Sequence, residues 1–217
     1  MITYQIEPGH NYSVGLIIAM GVDVSSKLSV LEKRLYGCLQ ERKNELSEKE
    51  DLFRKAVRDM MRIGSYKPTG RAKPASEYLV RAASEDQFRR INTVVDINNY
   101  ISLRYLVPIS MWDLDKAEAD SILFRPGKEG EEYVFNPSGQ SLSLKDLITG
   151  FAVKNGVETP IITPVKDCQV TKTDDSTRNI GVAVYYPGNR KDAPEMQQIL
   201  DEFCELLELI SDQVIQL

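Results

Sequence analysis

The chain has one histidine, three cysteines and one tryptophan among its 217 residues, and these scarcities exclude several chemistries. His10 lies in a loop-like stretch near the N-terminus, so a serine–histidine–aspartate triad would have no other base to recruit. Cys38, Cys168 and Cys204 are odd in number, far apart and without C-x-x-C spacing. They read as reduced thiols, with neither a disulfide framework nor a zinc site. No G-x-G-x-x-G, no D-x-D-x-D-G and no Gly-Lys-Ser/Thr after the glycine-bounded loop GSYKPTG is present, which removes dinucleotide, calcium and P-loop nucleotide sites. No cofactor and no metal are therefore expected. No apolar run approaches the ~18 residues of a membrane span. Met1-Ile-Thr-Tyr offers no basic leader, and the run Val14 to Met20 is short, so a cytoplasmic protein is the expectation.

What is present is an ordinary globular composition, 42% hydrophobic and 27% charged, with a formal net charge of −5. The charge is uneven. Residues 53–90 carry ten Lys/Arg against four Asp/Glu, whereas residues 193–217 carry six acids and no Lys or Arg. A basic middle is either a phosphate-facing surface or a set of solvated helix faces.

The apolar pattern gives the elements. Tyr12 to Val22 reads as a buried strand. Ser25 and Ser26 stand as an N-cap for a helix carrying Leu28, Leu31, Leu35, Leu39 and Leu46. Ser47-Glu-Lys-Glu50 is a capping box for a second helix that Gly64 ends. Pro74 starts a third helix, and Ile91 to Tyr105 forms a fourth, which Pro108 ends by forcing the chain into a strand. Short strands are expected at 121–125, 132–135, 142–144, 151–153, 161–163 and 180–186, with a turn at Asn136-Pro-Ser-Gly139. Asp192, Pro194 and Glu195 open a last amphipathic helix over 193–217, striped by Met196, Ile199, Phe203, Leu207, Ile210 and Val214. That stripe is a candidate homodimer face. Segregated helices and strands predict an α+β fold with a mixed, largely antiparallel sheet, as one domain over 1–217.

Residues 91–115, INTVVDINNYISLRYLVPISMWDLD, place asparagines and aspartates inside an apolar run. Buried amides and carboxylates are costly unless partnered, so these residues are either a hydrogen-bonded network or a site. Asp96, Asp113 and Asp115 suit anchoring of turns.

Several segments in order carry a resemblance: Arg71-Ala-Lys-Pro-Ala-Ser-Glu-Tyr, Ile91-Asn-Thr-Val-Val-Asp-Ile-Asn-Asn-Tyr, Pro108-Ile-Ser-Met-Trp-Asp, Gly127-Lys-Glu-Gly-Glu, and Val165-Lys-Asp-Cys-Gln-Val-Thr running to Asn179. The chain resembles free-standing B3/4-domain proteins and the editing domain of the phenylalanyl-tRNA synthetase beta subunit, best over 55–190. The strand and two helices of 12–63 match more loosely. The resemblance implies a pocket that holds an aminoacyl ester and a water, without a covalent nucleophile. It implies tRNA or aminoacyl-tRNA, with or without a synthetase, as partner, and no membrane. The family's asparagine falls on Asn99, its histidine on Ser110, and its tyrosine-reading glutamate near Gln169. Asn99, Ser110 and Thr171 are then the candidate catalytic residues. Gln169, Lys166, Asp167 and Asn179 are the candidate substrate contacts, and Arg58, Arg62, Lys67, Arg71 and Lys73 the candidate tRNA contacts. A site built around a substrate hydroxyl can discriminate by ~10⁴ against an analogue lacking it. With serine and glutamine at two of the three positions, the mischarged amino acid is left open between tyrosine and another. Two functions remain open: a trans-acting aminoacyl-tRNA deacylase, or a non-catalytic module binding RNA or an amino acid.

Overall fold

A computed structural model describes residues 2–188 and 194–217. The strand β2 (Tyr12–Met20) has eight of its nine residues buried, because both of its faces are covered. It pairs antiparallel with β9 (Asn179–Pro187), which pairs antiparallel with β3 (Ile109–Asp113). Along β9 the side chains alternate. Ile180, Val182, Val184 and Tyr186 enter one apolar core, while Ala183 and Tyr185 enter another.

The first core is filled by helices: α1 (Ser29–Glu41), α3 (Ala75–Ser84), α4 (Thr93–Tyr105) and α6 (Pro194–Glu208). The second lies between this sheet and another of order β1 (Thr3–Ile6), β4 (Ser121–Pro126), β7 (Ile148–Lys154) and β8 (Val157–Ile162). There β1 runs parallel to β4 and the remaining pairs are antiparallel. The α2 helix (Glu48–Met60) contributes Val57 and Met60 to that second core. A hairpin of β5 (Glu132–Val134) and β6 (Ser141–Ser143) and the short α5 (Leu114–Ala117) complete the set. The fold is thus α+β with mixed, largely antiparallel sheets, helices on one face and a second sheet on the other.

Local chemistry fixes the joints. The Ser47–Glu50 capping box forms in full. Asn92 caps α4 by accepting the Val95 N–H at 3.0 Å. At the other end, Leu106 adopts a left-handed conformation and Ser102 Oγ donates to Val107 O at 2.6 Å, which turns the chain into β3. Trp112 lies flat on the sheet because its partner across the pairing is Gly181, where an added Cβ would come within 2.2 Å of the indole.

Three expectations are corrected. Ser25 and Ser26 do not cap α1; both hydroxyls donate to the Asp23 carboxylate, and Leu28 stands at the cap position. The last helix stops at Glu208, and Val214 belongs to β10 (Gln213–Gln216), paired with β2. Ile210 to Val214 happens to keep helical spacing, but Ser211 Oγ donates back to Leu207 O and Asp212 N–H goes to Met20 O, which redirects the chain into the sheet. The stripe from Met196 to Ile210 is buried in the chain's own core, so it offers no face to a second copy. The β1 strand was not anticipated, and the proposed cap at Asp192 lies outside the described residues. Among the described residues no helix is long and apolar enough to cross a membrane.

Candidate functional site

A cavity of about 780 Å³ lies between α3, α4, β3 and the segment 163–173. The volume is typical of a small-molecule site. Its α4 wall follows from helical periodicity. Val95, Asn98, Asn99 and Ser102 stand at i, i+3, i+4 and i+7 and so form one stripe toward it. Asp96, on another face of α4, accepts Arg90 Nε at 2.9 Å and the Ile91 N–H at 3.0 Å. It anchors the turn entering α4. The Asn98 side-chain oxygen is buried without a protein partner, and its NH₂ donates to Asn99 Oδ1 at 3.4 Å.

The floor follows from strand periodicity. Ile109 and Met111 of β3 line the cavity. Ser110 points through the sheet instead, where its hydroxyl donates to Thr163 O at 3.0 Å and lies 3.2 Å from Tyr185 Oη.

The opposite wall is a loop held rigidly from behind. Thr163 Oγ1 donates to Lys166 O at 2.8 Å and accepts the Lys166 N–H at 3.1 Å. Tyr133 Oη donates to Lys166 O at 2.5 Å, and the Cys168 and Gln169 N–H groups bond Ile161 O and Val134 O, each at 2.8 Å. This loop sets Asp167 against the cavity. Its two oxygens accept the Met111 and Thr163 N–H groups, both at a long 3.4 Å. Burial pushes its carboxyl up to about 7, and the Ser110 hydroxyl, the two N–H groups and the charge of Lys172 offset this only in part. Tyr133 and Tyr185, behind it, are held well above the ordinary phenol value, mainly by burial and then by the Asp167 charge.

Cations gather at the rim. Lys166 Nζ sits 3.9 Å over the Phe135 ring, and its pKa is lowered by burial and by Arg71 and Lys172. Lys172 Nζ donates to Phe135 O at 2.6 Å and to Gln169 Oε1 at 3.3 Å. A second, more open groove of about 760 Å³ adjoins the cavity and contains Lys67, Lys145 and Phe135. Arg71 and Lys166 line both, so they form the shared wall.

The residues singled out from the sequence therefore divide. Asn99, Lys166 and Asp167 meet in the cavity, with Arg71 at its rim and Lys67 in the adjoining groove. Ser110 is behind the floor, turned away by strand alternation. Thr171 is buried outside the lining, its hydroxyl without a protein partner. Gln169 is outside the lining and occupied by Lys172. Asn179 is at a separate pocket of about 320 Å³, bonded to the Asp115 carboxylate at 3.0 and 3.1 Å and to the Gly21 N–H at 3.2 Å. Arg58 forms a two-pronged pair with Glu77, and Arg62 pairs with Asp59 at 3.0 Å. Lys67, Arg71, half-buried Lys73 and Arg89 form no ion pair among the described residues. Asp113 accepts the Asp115 and Lys116 N–H groups and the Thr177 hydroxyl, as a turn anchor does. Sequence reasoning passed over Asn98, Lys172 and Arg89; the i, i+3, i+4 stripe on α4 was the available signal for Asn98. Among the described residues no cluster of His, Cys, Asp or Glu could hold a metal.

Residues 65–197 match the model of the B3/4 domain family. The chain belongs to that family. The matched region contains the whole lining of the cavity. Among curated relatives, the beta subunit of phenylalanine–tRNA ligase from Streptococcus mutans is 33% identical over 110 residues, covering 50% of this chain and 13% of the relative. The same subunit from Geobacter sulfurreducens is 27% identical over 108 residues, 49% of this chain and 13% of the relative. The chain thus spans only a small part of these relatives. A crystal structure of an N-terminal fragment of the phenylalanyl-tRNA synthetase beta-subunit from Pyrococcus horikoshii superposes with a TM-score of 0.53. It covers 99% of this chain and 54% of the fragment at 10% identity, a likeness of fold alone.

Proposed function

We propose that this B3/4 protein hydrolyses the ester of a mischarged aminoacyl-tRNA, acting in trans. The observation that carries the reading is the joining of two spaces. A largely apolar cavity with Asn98, Asn99 and Asp167 adjoins a groove with Lys67, Arg71 and Lys166. The first suits an aminoacyl group, and the second suits the phosphates of the 3′ strand that carries it. The ester is activated, so orienting a water and polarising the carbonyl suffice for useful acceleration. Asn99 is assigned to the ester and Lys166 to the tRNA end. Thr171 and Ser110 brace the loop and floor from outside the lining.

Incubation with a panel of mischarged tRNAs tests the reading. Release of the amino acid from at least one of them, above the rate in buffer, is expected. No release from any of them sinks the enzymatic claim. A second reading, binding without turnover, is favoured by one observation: Ser110, at the position of the family's histidine, faces away from the cavity. Tight binding of a non-hydrolysable aminoacyl-tRNA analogue together with no hydrolysis would select it.

A further inference from the structure

We propose that Asp167 is the general base that takes a proton from the attacking water, an inference that rests on the hydrolytic reading above. Elimination leaves one candidate base inside the cavity. Its charged lining residues are Arg71, Arg89, Lys166, Lys172 and Asp167, so Asp167 is the one carboxylate there. No histidine or cysteine joins it; His10 is elsewhere, against Glu7 and the Tyr12 ring. Arginine is always protonated and donates only, and a lysine serves as a base only once it has lost its proton.

The geometry of the carboxylate agrees. A carboxylate offers about four lone-pair positions; Asp167 uses two of them for long N–H bonds to Met111 and Thr163, and the Ser110 hydroxyl lies against it from behind the floor. Those bonds come from β3 and the 163–166 turn, so they fix the carboxylate between the floor and the loop wall while leaving acceptor capacity for a water. Asn99 supplies the complementary group: its NH₂ donates to no protein atom among the described residues, and it lines the same cavity. The raised proton affinity of Asp167 is suited to the role, since a base working near neutral pH is most effective when it titrates there. Every other group facing it is of another kind. Lys172, Lys166, Arg71 and Arg89 are cationic, Ser110 is a neutral hydroxyl, and Tyr133 and Tyr185 are held neutral by burial.

The step balances without a further reactant. A water O–H bond breaks and its proton passes to an Asp167 oxygen as the water oxygen bonds to the ester carbonyl carbon. The tetrahedral intermediate then expels the ribose oxygen, and Asp167 returns the proton to it. The products are the amino acid and a tRNA ending in a free hydroxyl, with Asp167 again ionised.

The test uses whichever mischarged tRNA the intact protein hydrolyses fastest, with kcat and KM measured from pH 5 to 9. Wild type should lose about tenfold in kcat per pH unit below about 7. Asp167→Asn should lose about 10²- to 10⁴-fold in kcat with KM nearly unchanged, and should lack the acid limb. Added formate should restore part of the rate to Asp167→Ala, which a purely structural role would not allow. The substrate's own α-ammonium also titrates in this range, so the profile is repeated on an α-hydroxyacyl ester of the same tRNA. A limb that persists there belongs to the protein and supports Asp167; a limb that disappears overturns the assignment. Asp167→Asn within threefold of wild type, or an unchanged limb in that variant, also overturns it while leaving hydrolysis standing. Hydrolysis of nothing by wild type overturns the parent reading and this one together.

Discussion

Glu202 and Asp167 are both carboxylates set into the body of the protein, and they are treated in opposite ways. Glu202 on α6 accepts Tyr100 Oη at 2.6 Å and Tyr105 Oη at 2.5 Å, and pairs with Arg104 at 3.1 Å and Arg34 at 3.3 Å. It ties α6 to α4 and α1 with its lone pairs used. Asp167 has two long N–H contacts and the Ser110 hydroxyl beside it, and it lines a cavity. A saturated carboxylate is a fastener. An under-coordinated one beside an open space costs the fold something, and that cost is commonly retained where a site needs the group.

The sharpest way to break this comparison is to remove the fastener. Glu202→Ala leaves two hydroxyls and two guanidiniums without their shared acceptor, and should cost about 3 kcal/mol, read as a lower urea midpoint. A loss below about 1 kcal/mol would put the two carboxylates in the same class.

The next test concerns pH. Burial raises the folded Asp167 carboxyl from an unfolded value of about 3.9 to about 7. Its stabilising contribution is therefore complete below about pH 4 and is lost as pH rises through 7. Asp167→Asn avoids that loss, so its stability relative to wild type should rise between pH 4.5 and pH 8. Denaturant melts at the two pH values decide this, and an equal difference at both would refute it.

Ser110→Ala removes the bond to Thr163 O and leaves the Tyr185 hydroxyl one partner short, at a cost of about 1 kcal/mol by thermal melting. The smallest effect belongs to the rim. Arg71→Ala should change stability by less than about 0.5 kcal/mol. It should also reduce the salt slope of tRNA binding by about one. An unchanged slope would remove Arg71 from the phosphate path.

The sequence made some of this arrangement legible, and the reasons differ by residue. Periodicity and capping marked α2, α4 and β9 because their signals are local. The Ser47–Glu50 box and the Pro108 break act over a few residues. Asn99 was readable because α4 carries a regular stripe and the resemblance pointed to the same position. Ser110 was not, because the face taken by each residue of a strand depends on which sheet face is covered, and β3 is covered on both. Asn179 and Gln169 are committed to Asp115 and Lys172, partners that only the folded chain brings near. The basic surplus of 53–90 was equally deceptive as a sum. Arg58 and Arg62 are matched by nearby acids, whereas Arg71 and Arg89 pair with no acid among the described residues, and only the fold separates the two groups. At the C-terminal end, Ile210 and Val214 kept helical spacing across a change to strand, which no periodicity argument would detect.

The packing of Trp112 onto Gly181 gives the protein an optical property of its own. The chain's sole tryptophan is fully buried in β3, directly beside Met111 of the cavity floor. Its emission therefore comes from one known position, shielded from water and next in the chain to a cavity-lining residue. A ligand that shifts β3 on entering the cavity would register as a change in that emission, without a label. Unfolding would register as a shift to the red, and a single fluorescence trace could follow both.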